Sequence, residues 1–290
     1  MRILNNKKAL AVFIVPALLL YTLILFVPMA QSLYYSLLDW NGIGKPTFVG
    51  LQNFIKLFHD RVFLIAARNN LLYILQVVSM QLLCGFFVAV LLLYLKRGRG
   101  FIQTVYYIPS VITVIAIAQL FRSFYSIEPV GLFNKIRMLF GAEPIAFLSN
   151  FDTVLPAVAA VEGWQYIGIY MLIFYAALSS IPRDIEEAAR IDGATELQLL
   201  LRIRIPQIKN VIGLSFILSF VGALRGFAAP MSLTRGGPNN QSEILATYMF
   251  KKAFTSQMLG YGSAIALIIA ALSCVCVILI SRYADEEERS

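Results

Sequence analysis

Long runs without a charged side chain recur along the 290-residue chain and limit its fold more than any other feature. Most are longer than the roughly 20 residues that cross a bilayer core as a helix. The uncharged runs are 9–38, 69–95, 100–121, 210–224 and 253–281, and a further run at 153–182 is interrupted only by Glu162. The runs are continuous, with no alternation of polar and apolar residues, which disfavours a membrane β-barrel.

These runs predict an all-α membrane protein with six transmembrane helices, organised as one transmembrane domain over 1–290. With 59% hydrophobic and only 14% charged residues, and a mean hydropathy of +0.75, the composition excludes a soluble domain of this length. The predicted spans are about 9–32, 69–95, 101–124, 153–180, 209–233 and 259–282.

The segment 182–208, between the fourth and fifth spans, is rich in charge, and we call it the charged loop. Asp184 with Glu187, and Thr195 with Gln198, each have the spacing of a helix-starting capping box. Gly193 lies between them, where the end of a helix favours a positive φ. The loop is therefore predicted to be a helix, a glycine corner and a second helix, which ends where Pro206 starts the fifth span.

Basic residues near the span ends predict the orientation, because Lys and Arg in short loops favour the cytoplasmic side. They precede the first span, follow the second and recur in the charged loop, so both termini and this loop are expected in the cytoplasm. These residues are Arg2, Lys7, Lys8, Lys96, Arg97, Arg99, Arg183, Arg190, Arg202, Arg204 and Lys209.

The chemistry of an enzyme is missing from the sequence. It has no Gly-rich phosphate loop, no HExxH and no GxSxG motif, so no catalytic residue and no bound cofactor are expected. Cys84, Cys274 and Cys276 all fall within predicted spans and are interpreted as apolar fillers, not as a disulfide or a metal site. The basic residues do not interleave with aromatics, so nucleic-acid binding is not expected either.

Two charged residues, Glu162 and Arg225, fall inside predicted spans at similar depth, and such residues are candidates for function. One interpretation is structural: a salt bridge, or an arginine that reaches the interface. The other is a substrate path. Glu162, Tyr166 and Tyr170 repeat every four residues and share a helix face, and Gln165 lies beside them. Such a polar and aromatic stripe suits a polyol, but it also suits helix packing.

A third candidate site lies between the fifth and sixth spans, on the opposite side from the charged loop. Gly236, Gly237, Pro238 and Asn239 have the chemistry of a tight turn. The segment is either a simple reversal of the chain or part of an outer gate.

The charged loop resembles the EAA signature of the permeases of binding-protein-dependent ABC importers. The residues that carry the likeness are Glu187-Ala188-Ala189, Gly193, Ile203 and Ile205-Pro206, with Ile205 where the family pattern has leucine. The context Asp192-Gly193-Ala194 is similar to the carbohydrate-importing branch.

Four further stretches are similar to the same branch, and together with the charged loop they cover nearly the whole chain. They are YYSLLDWNG with FVGLQNFIKLF, then FIQTVYYIPSVI, GWQYIGIYMLIFYAALSSIP and LTRGGPNNQSEILATYMFKKAF. This order resembles the first of the two permease subunits in maltose-type and glycerol-phosphate-type importers.

The resemblance implies a type I ABC importer permease fold in the cell membrane of a bacterium or archaeon. It implies four kinds of contact: a second homologous permease subunit, two ATP-binding subunits that use ATP and Mg, an extracytoplasmic solute-binding protein, and membrane lipid. It further implies that the charged loop forms the coupling helices that contact the ATPase, a role that involves Glu187, Ala188, Ala189, Asp192, Gly193 and Pro206.

Two alternatives remain open at this point. The chain could be an ABC permease for a non-sugar solute such as an amino acid, phosphate or polyamine. It could instead be an ion-coupled secondary transporter, for which repeats and broken spans at mid-membrane would be expected.

Overall fold

The structure, a computed structural model, describes residues 7–288, and side chains from 12 to 280. Residues 1–6, which include Arg2, and residues 289–290 lie outside this range. The described chain is mostly helical. Its helices are α1 (Lys7–Tyr21), α2 (Val27–Ser36), α3 (Gln52–His59), α4 (Arg61–Ser79), α5 (Gly85–Tyr94), α6 (Arg99–Val111), α7 (Val114–Tyr125), α8 (Leu132–Leu139), α9 (Val154–Ser179), α10 (Arg183–Ile191), α11 (Glu196–Leu199), α12 (Ile205–Gln207), α13 (Lys209–Leu224), α14 (Ala228–Leu233), α15 (Leu245–Phe250) and α16 (Leu259–Glu288).

Short π-helical turns extend several of these helices without ending them. They are Thr22–Phe26 between α1 and α2, Met80–Cys84 between α4 and α5, Leu200–Arg204 between α11 and α12, and Lys251–Thr255 after α15. Two short strands, β1 (Leu38–Asp39) and β2 (Thr47–Phe48), pair antiparallel, with Leu38 opposite Phe48.

Five helical segments within the described residues are long and apolar enough to cross a membrane. They are Val12–Ser36, Arg61–Tyr94, Val154–Ser179, Lys209–Leu233 and Leu259–Ile280. The bent pair of α6 and α7 makes a sixth span if it is counted as one. The prediction of an all-α protein with six spans is therefore confirmed.

The second span begins at Arg61, eight residues before the predicted start at 69. The prediction began the span after its last charged residue. In the structure, Arg61 and Arg68 lie on the helix with exposed side chains, so neither charge has to be buried for the helix to start earlier.

The third span is bent by 101°, which corrects the prediction of a continuous helix over 101–124. Helix α6 contains Pro109, which has no N–H for the preceding turn. The helix stops at Val111, and Ile112 and Thr113 take extended backbone angles, with ψ of 144° and 138°. The fifth span is also interrupted, because α13 ends at Leu224 and α14 begins at Ala228.

Contacts between Cα atoms divide the chain into two compact units. The first contains the segment through Arg61 together with Tyr248–Ala270, and the second contains Val62–Thr247 and the segment after Ala270. In the first unit, the Asp60 carboxylate accepts hydrogen bonds from the hydroxyls of Tyr248 and Tyr261. The expectation of one transmembrane domain over the whole chain stays a prediction.

The second unit is built around α9, which is apolar on all sides and largely buried. A hydrophobic cluster joins it to α5, with Ile208 at one end: Val88, Ala89, Leu92, Tyr170, Met171, Phe174, Leu178 and Ile208. Small residues allow the close approach. A Cβ at Gly168 would lie 2.1 Å from the Tyr106 carbonyl oxygen of α6, and one at Gly163 would lie 2.8 Å from the Met80 sulfur. Helix α9 therefore positions the neighbouring spans.

Candidate functional site

The charged loop lies within the second unit, and its first helix, α10, begins at Arg183. Pro182 is the N-cap residue, and no side chain caps this end. The predicted capping box of Asp184 and Glu187 is therefore wrong, because Asp184 already lies inside the first helical turn. Asp184 and Glu186 instead place negative charge in that turn, where the helix dipole favours it.

The predicted glycine corner is present at the end of α10. Gly193 has a φ of +83°, and its N–H donates to the Arg190 carbonyl over 3.1 Å. The Ala194 N–H donates to the Ala189 carbonyl over 2.9 Å. These two bonds form a Schellman motif, in which a residue other than glycine would be strained at position 193. A Cβ there would meet no atom within 4 Å, so the corner is open to its surroundings.

The second predicted capping box is also present. The Gln198 N–H donates to Thr195 Oγ1 over 3.3 Å, and the Thr195 N–H donates to Gln198 Oε1 over 2.8 Å. The helix that starts here continues from α11 through the π-helical turn into α12. Pro206 lies within α12, so the prediction that it starts the fifth span is wrong; α13 begins at Lys209, after the non-helical Ile208.

A buried arginine joins the two helices of the charged loop. Arg204 is only 3% exposed, and its guanidinium makes two hydrogen bonds to the Glu186 carboxylate, over 2.7 and 2.8 Å. It also donates to the Tyr94 hydroxyl over 2.8 Å, and that hydroxyl donates to Glu196 over 2.7 Å. Glu196 in turn pairs with Arg190. Bidentate arginine–carboxylate pairs are among the strongest hydrogen-bonded interactions in proteins.

The charges in this network shift each other's protonation. The hydrogen bond from Arg204 lowers the pKa of the Glu186 carboxyl, against a smaller opposing effect of burial. The hydrogen bond to Glu186 raises the pKa of Arg204 above its ordinary value. Both groups therefore stay charged at neutral pH.

The predicted coupling residues around the corner differ in exposure. Glu187, Ala188, Asp192 and Gly193 are exposed, while Ala189 is half-buried. Ile191, which was not among the predicted coupling residues, has a side chain that is 86% exposed at the end of α10. The site thus presents small and apolar groups beside acidic ones.

Glu162, inside the fourth span, is buried at 8% exposure. Its carboxylate accepts a hydrogen bond of 2.6 Å from the Tyr73 hydroxyl of α4. A Cβ at Gly226, in the interruption of the fifth span, would lie 3.1 Å from the same carboxylate. The carboxylate is therefore enclosed between the second, fourth and fifth spans.

The other residues of the predicted stripe are mostly buried as well. Gln165 is fully buried, and its Nε2 donates over 2.9 Å to the carbonyl of Ile112, where the third span is bent. Tyr170 belongs to the hydrophobic cluster between α9 and α5. Tyr166 is only half-buried. Of the four, Tyr166 is the most accessible.

Arg225 caps the C-terminal end of α13 and is exposed. The salt bridges among the described residues do not include one between Glu162 and Arg225. The Glu162 carboxylate instead accepts the hydrogen bond from Tyr73. The salt bridge that their similar depth allows is thus not formed in this structure.

The turn that contains Gly236, Gly237, Pro238 and Asn239 is tightly built. Arg235, Gly236, Asn239 and Asn240 all have positive φ, and the Ser242 hydroxyl donates to the Gly237 carbonyl. Asn69, at the start of the predicted second span, lies with its side-chain nitrogen 3.0 to 3.1 Å from the carbonyls of Asn240, Gln241 and Glu243. This anchoring makes the turn an ordered part of the second unit.

Several of these residues were not singled out from the sequence. Tyr73 and Asn69 could have been noticed, since each is a polar side chain in an apolar run. Arg204 gave none, because it stands among other arginines of a charged segment. Within the part of the chain that the structure describes, no three His, Cys, Asp or Glu side chains come together as a metal site.

Several apolar helices of membrane-spanning length, joined in part by an exposed charged loop, are the architecture of a multi-pass membrane protein. The family described as "Binding-protein-dependent transport system inner membrane component" matches residues 81–289, and the chain belongs to this family. It is therefore a multi-pass membrane permease.

Two relatives and one solved structure extend this likeness. The chain is 34% identical to the probable ABC transporter permease protein YurN of Bacillus subtilis, over 93% of both chains. It is 34% identical to the xylose/arabinose import permease protein XacH of Haloferax volcanii, over 86% of this chain and 80% of the relative. A crystal structure of a bacterial ABC transporter involved in the import of the acidic polysaccharide alginate contains a similar chain, with a TM-score of 0.85, 21% identity and 99% of both chains covered. The predicted type I ABC importer permease fold is confirmed.

Proposed function

We propose that the chain is a permease subunit of an ATP-driven importer of sugars or oligosaccharides and forms half of the translocation pathway. Its partners would be a second homologous permease, two ATP-binding subunits that bind ATP and Mg, and an extracytoplasmic solute-binding protein. Family membership supports the transport role, and the relative named for xylose and arabinose import supports a sugar. The observation that carries the coupling role is the exposed corner at Gly193.

The corner has the properties of a docking element. Ile191 on one side of Gly193 is 86% exposed, and Leu197 on the other is 64% exposed. Removing one such side chain from water contributes roughly 1.5–3 kcal/mol. The capping bonds already fix the backbone of the loop, so little further ordering is needed when a partner binds. The loop would therefore insert as a preformed element into a cleft of the ATPase.

Co-purification of the ATP-binding subunit tests this docking. Gly193→Asp places a side chain on the open corner and strains its backbone, so the ATPase should no longer co-purify while the chain still inserts in the membrane. Gly98→Asp is a matched control, because Gly98 also has a positive φ, of +80°, and has no neighbour within 4 Å of a Cβ. Equal ATPase recovery with both variants would refute the docking role.

The orientation is part of the proposal: the charged loop and both termini face the cytoplasm. The basic residues next to the loop-side span ends support it. Limited proteolysis of the charged loop in inside-out and right-side-out vesicles tests it. Cleavage in inside-out vesicles alone is expected, and cleavage in right-side-out vesicles alone would reverse the orientation.

We assign the substrate path to Tyr166 and Arg225, which are accessible, together with the buried Glu162, Gln165 and Tyr170. An aromatic ring and charged donors suit the faces and hydroxyls of a sugar. Tyr166→Ala should reduce uptake without loss of the assembled complex, and unchanged uptake would leave Tyr166 as a packing residue.

The turn at Gly236–Asn239 would form part of the outer gate near the docked solute-binding protein.

The substrate class separates this proposal from its nearest alternative, an ABC permease for a non-sugar solute. The likeness of Asp192-Gly193-Ala194 to the carbohydrate branch favours sugars. Binding of labelled sugars, amino acids and polyamines to the cognate solute-binding protein distinguishes the two. A secondary transporter is set aside, because the chain belongs to the binding-protein-dependent family.

A further inference from the structure

The hydrogen-bond network around Arg204 connects the charged loop to the second membrane span. Tyr94 belongs to this network although it lies outside the charged loop. It is the last residue of α5 and of the second span. Its hydroxyl lies between Arg204 and Glu196, accepting from the first and donating to the second. The guanidinium carbon of Arg204 also lies 5.7 Å from the centre of the Tyr94 ring. One side chain of a membrane span therefore contacts the second helix of the loop at two residues, and it is connected to α10 through the Arg204–Glu186 pair.

The burial of Arg204 distinguishes this network from surface ion pairs. Exposed pairs contribute little, because water and salt screen them. The Arg204 side chain is 4% exposed and that of Glu186 21%, so neither partner can be lost without leaving a mostly buried charge. The network therefore holds α10, the π-helical turn and the end of α5 in a single arrangement.

We propose that Tyr94, Arg204 and Glu186 form a brace that makes the charged loop and the second span move together. The three are positioning residues: none belongs to the exposed corner at Gly193 that we propose as the contact with the ATPase. The inference rests on the proposed function, since the brace would transmit to α5 the movement that the ATPase imposes on α10. Loss of the brace would let α10 follow the ATPase while the span stays behind.

The most informative variant is Tyr94→Phe, which removes one hydroxyl and keeps the ring. The assembled complex in proteoliposomes is measured for ATP hydrolysis and for sugar uptake. A hydrogen bond of ordinary strength shifts an equilibrium about fivefold, so uptake per ATP should fall by about that factor while hydrolysis continues. Tyr175→Phe is a matched control, because the Tyr175 hydroxyl lies 3.5 Å from Arg99 and outside the brace. An unchanged ratio, or equal losses of hydrolysis and uptake, would overturn the proposal.

A second experiment tests the brace without the ATPase. Hydrogen exchange of the isolated chain should be faster across 183–204 in Glu186→Gln than in the native chain. Asp184→Asn, which removes a carboxylate from the same helical turn but not from the brace, should raise exchange less. The double variant Glu186→Arg with Arg204→Glu restores the opposite charges and should slow exchange again. Equal exchange in all four chains would overturn the brace. If the native complex shows no ATP-driven uptake, the proposed function fails. If the native complex shows such uptake and the Tyr94 and Glu186 variants do not differ from it, only the brace fails.

Discussion

The hydroxyl of Tyr73 donates a 2.6 Å hydrogen bond to the carboxylate of Glu162, between the second and fourth spans. A carboxylate buried in a membrane protein needs such a donor, because lipid and apolar side chains cannot replace water. Gly226 leaves the space that the carboxylate occupies. The interruption of the fifth span at Gly226 therefore packs against the hydrogen-bonded side chains of the second and fourth spans.

Tyr73→Phe should destabilise the chain by about 1–3 kcal/mol, because it leaves the Glu162 carboxylate without this donor. Thermal unfolding of the purified protein in detergent measures the loss. Glu162→Gln keeps an acceptor for the Tyr73 hydroxyl and should cost less. If Tyr73→Phe unfolds at the native temperature, the bond does not stabilise the second unit.

Gly168→Ala should destabilise the packing of α6 on α9. The added methyl would lie 2.1 Å from the Tyr106 carbonyl oxygen, so the helices must separate, at a typical cost of about 1–3 kcal/mol. Gly222→Ala in α13 is the control, because its methyl would meet no atom within 4 Å. Unfolding temperatures of both variants are compared with the native one. A Gly168→Ala protein as stable as Gly222→Ala would contradict the close approach.

The Glu186–Arg204 pair predicts a dependence of stability on pH. Arg204 lowers the pKa of Glu186 below its ordinary value of 4.5. The unfolded chain therefore takes up this proton more readily than the folded one, and the stabilisation is fully present above 4.5 and is lost as the pH falls through the lowered value. Native protein should lose more thermal stability than Glu186→Gln on acidification through this range. Parallel losses would show that the pair does not contribute.

Asn69→Ala should loosen the turn at 236–239, because the side-chain nitrogen lies within hydrogen-bond distance of three loop carbonyls. Hydrogen exchange of peptides from 235–245 should rise, while exchange in α10 should not change. Gln119→Ala, an exposed substitution on α7, serves as the comparison. Native exchange rates in Asn69→Ala would mean that the turn holds its shape unaided.

The sequence predicted those features that depend on neighbours along the chain. The apolar runs marked the spans, the glycine at 193 marked the corner, and Thr195 with Gln198 marked the second capping box. Each is set by local hydrogen bonding or by hydrophobicity. The box at Asp184 failed because the helix starts two residues earlier, with Pro182 as its N-cap.

Features that depend on distant partners could not be predicted in the same way. The bend of the third span uses a donor from Gln165, more than fifty residues away. The brace needs Tyr94 and Arg204 from separate segments. Polar residues in apolar runs, such as Asn69 and Tyr73, indicate that a partner exists but do not identify it.

The most direct test of the central claim is uptake of labelled sugar into proteoliposomes that contain the chain with its partner permease, ATP-binding subunits and solute-binding protein. Xylose, arabinose and maltose are the probes, with and without ATP. We predict ATP-dependent uptake of at least one sugar by the native and Gly98→Asp complexes, and none by Gly193→Asp. Equal uptake with and without ATP, or undiminished uptake by Gly193→Asp, would contradict the claim that the charged loop couples ATP hydrolysis to sugar import.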